Sequence, residues 1–502
     1  MGLARLISRG QSGLDAYEVS VEVHIAGGLP GFAITGLPAP AVRESRDRVR
    51  AALVNCGFDW PASRVTAHLG PADIPKEGGR FDLAIALGIV KAREARPWEL
   101  EGIEFLGELS LGGALRPITG VVPAALAAGS ASRPLVVPAA NAAEASLVPG
   151  VRVLAAHHLR EVIRSLDGDG ELEPVQPRGI AHIPVSKQSL DDVKGHAGAK
   201  RALCVAAAGE HNLLMIGPPG SGKSMLAARM RTLMPALTDE ELLSVASIAS
   251  VAGDISVLES GRVRPFRAPH HTTRAPALVG GGAHPRPGEI SLAHHGILFL
   301  DELPEFSRTA LEALREPLET GRVAISRLGR RIDFPARFQL VAAMNPCPCG
   351  YLGDGTDRCH CGAARVRQYR SRISGPLLDR FDLHIEVPQV AFNELAALAR
   401  PCSESLRHEV ECARERQLDR GTVNARLSER DVLSGVRLDA PASRLLAAAQ
   451  DRWRLSTRSV VRLLKVAKTL ADLAGREEPG SDELSEALQL RRLDRPLGSD
   501  TV

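Results

Sequence analysis

The chain has 502 residues, of which 44% are hydrophobic and 24% are charged, and its formal net charge at pH 7 is +3. This length exceeds one usual core, and the composition is that of a folded globular protein rather than a disordered or fibrous chain. No run of about 18 uncharged apolar residues occurs, and the first residues lack the apolar stretch of a signal peptide. We therefore expect a cytoplasmic protein.

The first part of the chain, residues 1–168, alternates strand-like and helix-like patterns. Strands are predicted at 17–25, 32–35 and 65–69, and helices at 42–55 and 83–91. An α/β domain is predicted from this alternation. Residues 169–188 are rich in Gly, Pro and acidic side chains, which predicts a linker. Residues 189–390 are predicted to form an α/β core with a Cys-rich insertion at 346–362, and residues 391–502 to form helices.

A Gly-rich run follows a short apolar strand predicted at 213–216. It consists of Gly217, Pro218, Pro219, Gly220, Ser221, Gly222, Lys223 and Ser224. A helix pattern over 225–234 comes next, so the match to G-x-x-x-x-G-K-[ST] has the strand and helix that a P-loop requires. Its glycines let backbone N–H groups approach phosphate oxygens, Lys223 adds positive charge, and the Ser224 hydroxyl suits Mg²⁺. The run predicts a site for nucleotide phosphates.

Two further strands end in polar side chains that complement this site. An apolar run at 296–300 ends in Asp301 and Glu302. We predict that Asp301 holds Mg²⁺ and that Glu302 polarises the attacking water. A strand predicted at 338–344 ends at Asn345, which would lie near the γ-phosphate. Alone this residue is a weak signal, because Asn-Pro often begins a turn.

Arginines are the candidates for stabilising a transferring phosphate. Arg380 lies just before a predicted strand. It can act as a finger on a neighbouring subunit's γ-phosphate, or it can pair with Asp379 or Asp382 at the surface. Arg458 and Arg462 are four residues apart at the start of a predicted helix, so they share one face and either can reach a nucleotide.

Four of the eight cysteines cluster in the sequence. Cys347, Cys349, Cys359 and Cys361 form C-x-C-x9-C-x-C. Two thiolate pairs joined by a Gly-containing turn can meet around a tetrahedral Zn²⁺, although C-x-C is less usual than C-x2-C. A structural zinc site and reduced thiols in a loop remain the two interpretations.

Taken together, these motifs resemble the ComM/YifB family of magnesium-chelatase-like AAA+ ATPases. The resemblance is carried by the P-loop, by the strand ending in Asp301 and by the segments 191–203, 266–273, 345–350 and 374–382, and it covers essentially the whole chain. It implies ATP and Mg²⁺ as cofactors and a homo-oligomeric ring, a hexamer, since an arginine finger acts across a subunit interface. The implied roles are sensor 1 for Asn345, arginine finger for Arg380, sensor 2 for Arg458 with Arg462 as runner-up, and contact with adenine for Val193 and Gly195.

The N-terminal segments 74–86 and 115–128 are similar to the two active-site segments of Lon-type protease domains. Arg80 stands about where the nucleophilic Ser would be, and Val122 about where its Lys would be. Covalent catalysis needs a nucleophile beside a base, and neither residue serves as one. The similarity therefore implies a proteolytically inactive Lon-like (S5 domain 2-like) domain for assembly or substrate binding.

Two Arg-rich insertions are candidates for contact with the substrate. Residues 251–290 carry Arg262, Arg264, Arg267, His270, His271 and Arg274. Residues 321–337 have the pattern of a β-hairpin that turns at Gly329 and carries Arg322, Arg327, Arg330 and Arg331. In a ring such hairpins would enter the pore and grip backbone phosphates, whereas the alternative is a solvated basic hairpin.

Two classes of function remain open. The ComM/YifB resemblance implies an ATP-driven DNA helicase that promotes branch migration in homologous recombination during natural transformation. The magnesium-chelatase resemblance implies a chelatase-like or chaperone-like ATPase that remodels a protein partner. The Lon-like domain and the Cys-rich insertion favour the DNA motor.

Overall fold

The structure is a computed structural model. It describes residues 2–176, 189–254, 256, 260–282, 285–327, 330–355, 357–390, 394 and 403–494. Several predicted features therefore lie outside the described residues: most of the predicted linker, the hairpin turn at Gly329, the side chains of Arg327 and Arg330, and nearly all of residues 391–402. No helix in the described part of the chain is both long enough and apolar enough to span a membrane.

The first stretch of chain, up to residue 176, contains strands and helices in alternation. In chain order these are β1 (Gly2–Ser12), β2 (Asp15–Ala26), β3 (Gly31–Thr35), α1 (Pro40–Arg43), α2 (Ser45–Asn55), β4 (Arg64–Gly70), α3 (Asp82–Glu94), β5 (Glu104–Phe105), β6 (Glu108–Leu109), β7 (Leu115–Arg116), α4 (Val121–Ser130), β8 (Leu135–Pro138), α5 (Ala142–Ala145), β9 (Val153–Ala156) and α6 (Leu159–Asp167). The helix predicted at 42–55 is interrupted at Glu44 and forms α1 and α2.

The central stretch contains the strands of the predicted nucleotide core. In chain order its elements are α7 (Ala197–Gly209), β10 (Leu213–Ile216), α8 (Lys223–Met230), α9 (Asp239–Ala252), β11 (Phe266–Arg267), α10 (Ala275–Val279), β12 (Gly280–Gly281), β13 (Arg286–Pro287), α11 (Glu289–Leu292), β14 (Ile297–Leu300), α12 (Arg308–Glu312), α13 (Arg315–Thr320), β15 (Arg322–Arg327), β16 (Arg330–Pro335), β17 (Gln339–Met344), α14 (Ala363–Arg370), α15 (Gly375–Leu378) and β18 (Leu383–Glu386).

The last stretch is helical, as predicted. Its helices are α16 (Ser403–Asp419), α17 (Glu429–Gly435), α18 (Ala440–Trp453), α19 (Thr457–Leu473) and α20 (Ser481–Gln489). Helix α8 is shorter than the predicted 225–234. It passes into a 3-10 turn at Arg231–Leu233, and Met234 is extended because Pro235 follows it.

The first of two compact units comprises residues 1–182, 238–262 and 326–334. Its largest sheet has the strand order β3-β4-β2-β1-β5-β8-β9. Strands β4, β2 and β1 pair antiparallel, and the remaining neighbours pair parallel. Helix α3 packs on β1 and β2 and is buried from Asp82 to Val90. The N-terminal region is thus an α/β fold.

Helix α9 belongs to this first unit, although its sequence lies within the predicted core segment 189–390. It packs against α4. The backbone N–H of Gly120 donates to the Ser250 carbonyl at 2.9 Å, and that of Val122 donates to the Ser250 hydroxyl at 3.2 Å. Ser250 thereby satisfies donors at the start of α4 that have no partner within the helix.

The second unit comprises residues 183–237, 263–325 and 335–502. Its five-stranded sheet has the order β11-β14-β17-β10-β18, and all of its pairs are parallel. Strands β10, β14 and β17 are buried throughout, as expected for a parallel sheet covered on both faces. Strand β10 lies between β17 and β18, while the next strand in the chain, β11, lies at the far edge. The order in which the chain adds strands to the sheet therefore reverses next to β10. Open α/β sheets bind ligands at such a point, at the carboxyl ends of the strands.

Candidate active site

The P-loop leaves the carboxyl end of β10 and leads into α8. Gly220 and Gly222 have φ values of 76° and 81°, in the left-handed region that glycine adopts without strain. A Cβ atom on Gly217 would lie 2.1 Å from the carbonyl oxygen of Val387, so this position has no room for a side chain. The local geometry therefore requires glycine at all three positions. It gives the backbone the close approach that a phosphate-binding loop needs.

Lys223 is the first residue of α8, and its side chain folds over the loop. The Nζ atom donates to the carbonyl oxygens of Gly217 and Pro218, each at 2.8 Å. Burial lowers the pKa of Lys223, while the nearby charges of Asp301 and Glu302 act in the opposite direction. The ammonium group thus lies inside the loop, where it can exchange these carbonyls for phosphate oxygens.

The predicted Mg²⁺ residues meet although they are far apart in the sequence. The Ser224 hydroxyl donates to Asp301 Oδ2 at 2.5 Å. The second oxygen, Oδ1, accepts the backbone N–H of Glu302 at 2.9 Å. A hydroxyl and a carboxylate at the start of a helix and the end of a buried strand are hard oxygen donors of the kind that Mg²⁺ prefers.

Glu302 adopts a left-handed backbone conformation, with φ 53°. Its Oε2 atom lies 3.0 Å from Nδ1 of His271, and the Glu302 side chain is 51% exposed. Backbone strain at a non-glycine residue is common where a side chain must be aimed at a reacting group. The link to His271 was not predicted from the sequence; its signal was the pair of histidines that follows β11.

Asn345 follows the carboxyl end of β17. Its Oδ1 atom is 3.5 Å from Lys223 Nζ, at the limit of a hydrogen bond. Because β17 lies between β10 and β14, the amide stands between the P-loop and the acidic pair. The structure therefore brings Lys223, Ser224, Asp301 and Asn345 to one edge of the sheet.

Sequence families cover most of the chain. "Magnesium chelatase, subunit ChlI" matches residues 189–395, "Subunit ChlI of Mg-chelatase" matches 21–141, and "Magnesium chelatase, subunit ChlI C-terminal" matches 401–491. Competence protein ComM of Haemophilus influenzae is 45% identical over 99% of both chains. The uncharacterized protein YifB of Escherichia coli is 44% identical over 99% of this chain and 98% of its own.

The chain belongs to the ComM/YifB family of magnesium-chelatase-like AAA+ ATPases. A more distant similarity links 40% of it, at 27% identity, to DNA replication licensing factor Mcm3 of Drosophila melanogaster. Membership of the AAA+ family implies an ATPase that uses ATP and Mg²⁺. The residues present fit both: the loop at Gly217 would hold phosphate, and Ser224 and Asp301 would supply oxygen ligands to Mg²⁺. When bound, Mg²⁺ withdraws charge from the transferring phosphate.

Arg380 lies at the other edge of the same sheet. It precedes β18, and its backbone carbonyl accepts from the Asn212 side chain, just before β10, at 2.8 Å. This is the amino edge of the parallel strands, opposite the P-loop. The Arg380 side chain is 13% exposed, and its guanidinium pairs with Glu319. That partner is neither Asp379 nor Asp382, the two that the sequence suggested.

A cluster of arginines surrounds Arg380. Burial lowers its pKa, and the positive charges of Arg462, Arg458 and Arg315 lower it further. Arg462 is 3.7 Å from Asp382 and has a side chain only 14% exposed, whereas Arg458 is exposed. Arg458 therefore lies near Arg380 with an exposed side chain, whereas Arg462 forms an ion pair with Asp382.

The residues predicted to contact adenine fall in different environments. Val193 has no exposed surface and belongs to the hydrophobic core of the second unit. Gly195 has φ 64°, and a Cβ atom there would lie 2.6 Å from Glu394 Oε2. Val193 therefore packs in the core. The contact of this segment with adenine stays a prediction.

The four clustered cysteines converge in space. Their sulfur atoms all lie within 4.8 Å of one another. Cys347 and Cys349 are 3.3 Å apart, Cys347 and Cys359 3.8 Å, and Cys349 and Cys359 3.6 Å. None of these four cysteines forms a disulfide. The predicted metal-ligand set is therefore assembled by the fold.

Arg80 and Val122, the two positions compared with the Lon dyad, are buried within the first unit. Arg80 is 6% exposed and donates to the Gln11 side chain and to the Thr119 carbonyl. Burial lowers its pKa to about 10, against the opposing influence of Tyr17 and Glu77. Val122 is 1% exposed. Both residues pack where the resemblance would place a Ser–Lys dyad.

Three arginines of the 251–290 insertion are engaged within the chain. Arg267 forms two hydrogen bonds with Glu289, at 2.7 and 2.8 Å. Arg264 donates to backbone carbonyls, and Arg262 pairs with Asp239. Among the described arginines of this insertion, Arg274 and Arg286 are exposed. Much of the basic character that the sequence offered to a substrate is thus used to hold the fold.

Proposed function

We propose that this chain is an ATP-driven DNA motor, a helicase that promotes branch migration in homologous recombination during natural transformation. The name of the Haemophilus relative, Competence protein ComM, supports a role in competence. The name of Mcm3, a DNA replication licensing factor, supports action on DNA. Within this proposal Glu302 activates the attacking water, Asn345 orients it, and Asp301 and Ser224 hold Mg²⁺.

The exposed basic hairpin carries the assignment to DNA. Val323 and Ile325 on β15 are 2% and 7% exposed, so alternate positions of that strand are anchored. Arg322 is exposed. The side chain of Arg331 on β16 pairs with Asp333 at 3.1 Å and is still 69% exposed. An anchored hairpin that presents arginines to solvent can bind backbone phosphates without reading sequence.

A ring is supported by the position of Arg380. The catalytic side chains lie at the carboxyl edge of the sheet, while Arg380 and Arg458 lie together at the amino edge. An arginine at that edge can serve a nucleotide only if another subunit presents its P-loop there. We propose a homo-hexamer in which Arg380, helped by Arg458, stabilises the phosphate charge on the neighbour.

The second candidate function is remodelling of a protein partner, in a chelatase-like or chaperone-like manner. It is favoured by the three matched families, all described as magnesium chelatase subunit ChlI. The two functions differ in what stimulates hydrolysis: a DNA motor responds to DNA, and a remodelling ATPase responds to a protein.

The test compares unwinding of a forked or four-way DNA by the wild type, by Glu302→Gln and by a hairpin variant, Arg322→Ala with Arg331→Ala. We expect Glu302→Gln to bind ATP and DNA without unwinding. The hairpin variant should keep its DNA-free ATP turnover and bind DNA more weakly. The slope of its affinity against salt should fall by about one for each DNA phosphate that the variant no longer neutralises. Arg444→Ala, an exposed arginine on α18, is the matched control.

Persistent unwinding by Glu302→Gln would refute the role of Glu302. The motor proposal itself would be abandoned if no DNA raised ATP turnover while a protein partner did.

A structural Zn²⁺ on Cys347, Cys349, Cys359 and Cys361 is part of the proposal. Its support is the convergence of the four sulfur atoms.

A further inference from the structure

We infer that the four-cysteine cluster, loaded with zinc, positions Asn345 and the P-loop turn at Pro219, so that ATP hydrolysis depends on a metal that is not the catalytic Mg²⁺. The inference rests on the proposed role of Asn345. It has two parts: the cluster binds one Zn²⁺, and the loaded cluster acts on hydrolysis through Asn345.

The sulfur geometry fits one tetrahedral ion. With Zn–S bonds of about 2.3 Å, the edges of a tetrahedral tetrathiolate site are about 3.8 Å long. The three separations among Cys347, Cys349 and Cys359 are 3.3, 3.6 and 3.8 Å, close to that value, and all four sulfurs lie within 4.8 Å of one another. A disulfide would instead bring two sulfurs to about 2 Å.

A loop of reduced thiols does not explain this convergence. Thiols are weak hydrogen-bond donors and acceptors, so four of them exert little force on one another. The connecting loop has little apolar core of its own, since its largest aliphatic side chain, Leu352, is 39% exposed. Its internal contacts are polar: Arg358 pairs with Asp354 at 2.9 Å and lies over the Tyr351 ring. Gly353 and Gly355 both have positive φ. A short, Gly-rich and poorly buried segment gains order when a metal joins its two ends.

The first cysteine pair is built directly onto the active site. Cys347 is fully buried and stands two residues after Asn345. The N–H of Gly350 donates to the Cys347 carbonyl at 3.0 Å and closes a turn around Cys349. A Cβ atom on Gly350 would lie 2.6 Å from Cδ of Pro219 and 3.9 Å from Cγ of Asn345. The ligand-bearing turn therefore touches the P-loop.

The second cysteine pair, Cys359 and Cys361, is linked to residues 345–346 through helix α14. Helix α14 begins two residues after Cys361 and returns to the start of the insertion. Its Arg370 donates to the Pro346 carbonyl at 3.3 Å. Burial raises the pKa of the adjacent Tyr369 to about 12, and the nearby backbone of Asn345 acts in the opposite direction. Both ends of the cluster thus converge on residues 345–346, and a metal would lock the backbone from which Asn345 reaches Lys223.

The first measurement is the zinc content of the full chain, purified without added metal, by inductively coupled plasma mass spectrometry. We expect one zinc per chain in the wild type and in Cys412→Ser, a half-buried cysteine on α16. The variants Cys359→Ser and Cys361→Ser should contain much less than one zinc per chain. Protein with its zinc replaced by Co²⁺ should show the visible absorption of a tetrahedral cobalt thiolate. Absence of zinc from the wild type together with failure to bind Co²⁺ would overturn the inference.

The second measurement is ATP hydrolysis without DNA, so the outcome does not depend on the DNA proposal. A zinc-selective chelator, used with Mg²⁺ in excess, should lower kcat by about tenfold or more, as loss of supporting contacts around a site does. Binding of a fluorescent ATP analogue should change less than about twofold, because the phosphate cradle remains. Added Zn²⁺ should restore kcat. This arm uses the wild-type chain, so it holds even where a cysteine variant fails to fold.

A double-mutant cycle tests whether the cluster acts through Asn345. Asn345→Ala alone should lower kcat, and Cys359→Ser should lower it little further in that background, because the two changes remove the same function. If the fold-losses in kcat of the two single variants multiply in the double variant, the inference is overturned. If Asn345→Ala leaves kcat unchanged while zinc is present, the proposed role of Asn345 fails, and with it the coupling, but the metal site stands.

Discussion

Gly217 is the residue whose identity is most tightly constrained in the candidate site. The backbone of the residue after β18 passes so close that its Val387 carbonyl occupies the place of a side chain. Packing against Val387 therefore demands glycine at this position, and the predicted approach of phosphates to the loop backbone would favour glycine as well.

We expect Gly217→Ala to abolish measurable ATP binding and to lower the melting temperature, because a Cβ atom 2.1 Å from an oxygen forces the loop or β18 to move. Titration with a fluorescent ATP analogue and thermal unfolding measure the two effects. Gly362→Ala is the control: its Cβ atom would meet nothing within 4 Å, and its φ is −65°. Wild-type ATP binding by Gly217→Ala would contradict the close approach.

At the scale of elements, the parallel sheet explains why the site assembles. Strands β10, β14 and β17 are neighbours and run in one direction, so the residues after their last positions meet at one edge. Buried apolar strands followed by Lys, Asp and Asn side chains were visible in the sequence. The order of the strands was not, because pairing between distant segments leaves no local pattern.

The contact between α7 and α16 depends on a buried charge network at Glu210. Burial alone would raise the pKa of Glu210, but the charges of Arg414, Arg426 and Arg264 outweigh it and lower the pKa to about 2. Arg414 donates to Glu210 at 2.6 Å and to the Ala207 carbonyl at 2.5 Å. Because the folded pKa lies below the unfolded one, the network stabilises the protein fully above about pH 4.5.

We expect Glu210→Gln to reduce the free energy of unfolding at pH 7 by an amount on the order of 3 kcal/mol, because Arg414 loses its charged partner. The difference from the wild type should shrink as the pH falls from about 4.5 to about 2, where Glu210 itself becomes protonated. Urea unfolding at several pH values measures it, with Glu415→Gln, an exposed glutamate on α16, as control. A difference that is constant over this range would exclude the network as its source.

At the scale of the whole molecule, the proposed division of the site between subunits has a consequence for mixtures of variants. Lys223→Ala damages the carboxyl edge of a subunit, and Arg380→Ala damages the amino edge. In a mixed ring some interfaces join an intact P-loop to an intact arginine. Neither variant alone contains such an interface.

We expect an equal mixture of Lys223→Ala and Arg380→Ala chains, exchanged before assay, to recover ATPase activity at about a quarter of the sites, as random assembly of heterologous interfaces predicts. The control mixes Lys223→Ala with Glu302→Gln. Both lesions then lie at the carboxyl edge, so no interface is intact. Steady-state ATP turnover is the measurement. Equal inactivity of the two mixtures would count against a site shared between subunits.

The sequence by itself determined which motifs the candidate site contains. Gly217 to Ser224, Asp301 and Glu302 are recognisable because backbone dihedrals, strand burial and the residue after a strand are local properties. It also determined that the N-terminal region is α/β and the C-terminal region helical, since hydrophobic periodicity is local too.

Only the tertiary structure decided which residues meet. It placed Arg380 at the amino edge, opposite Lys223, and it brought His271 to Glu302. It also showed that α9 packs in the first unit and that the sulfur atoms of the four clustered cysteines lie together. Each of these depends on contacts between distant segments, whose free energy comes from burial and packing of the whole chain and therefore leaves no periodic or local signal in the sequence.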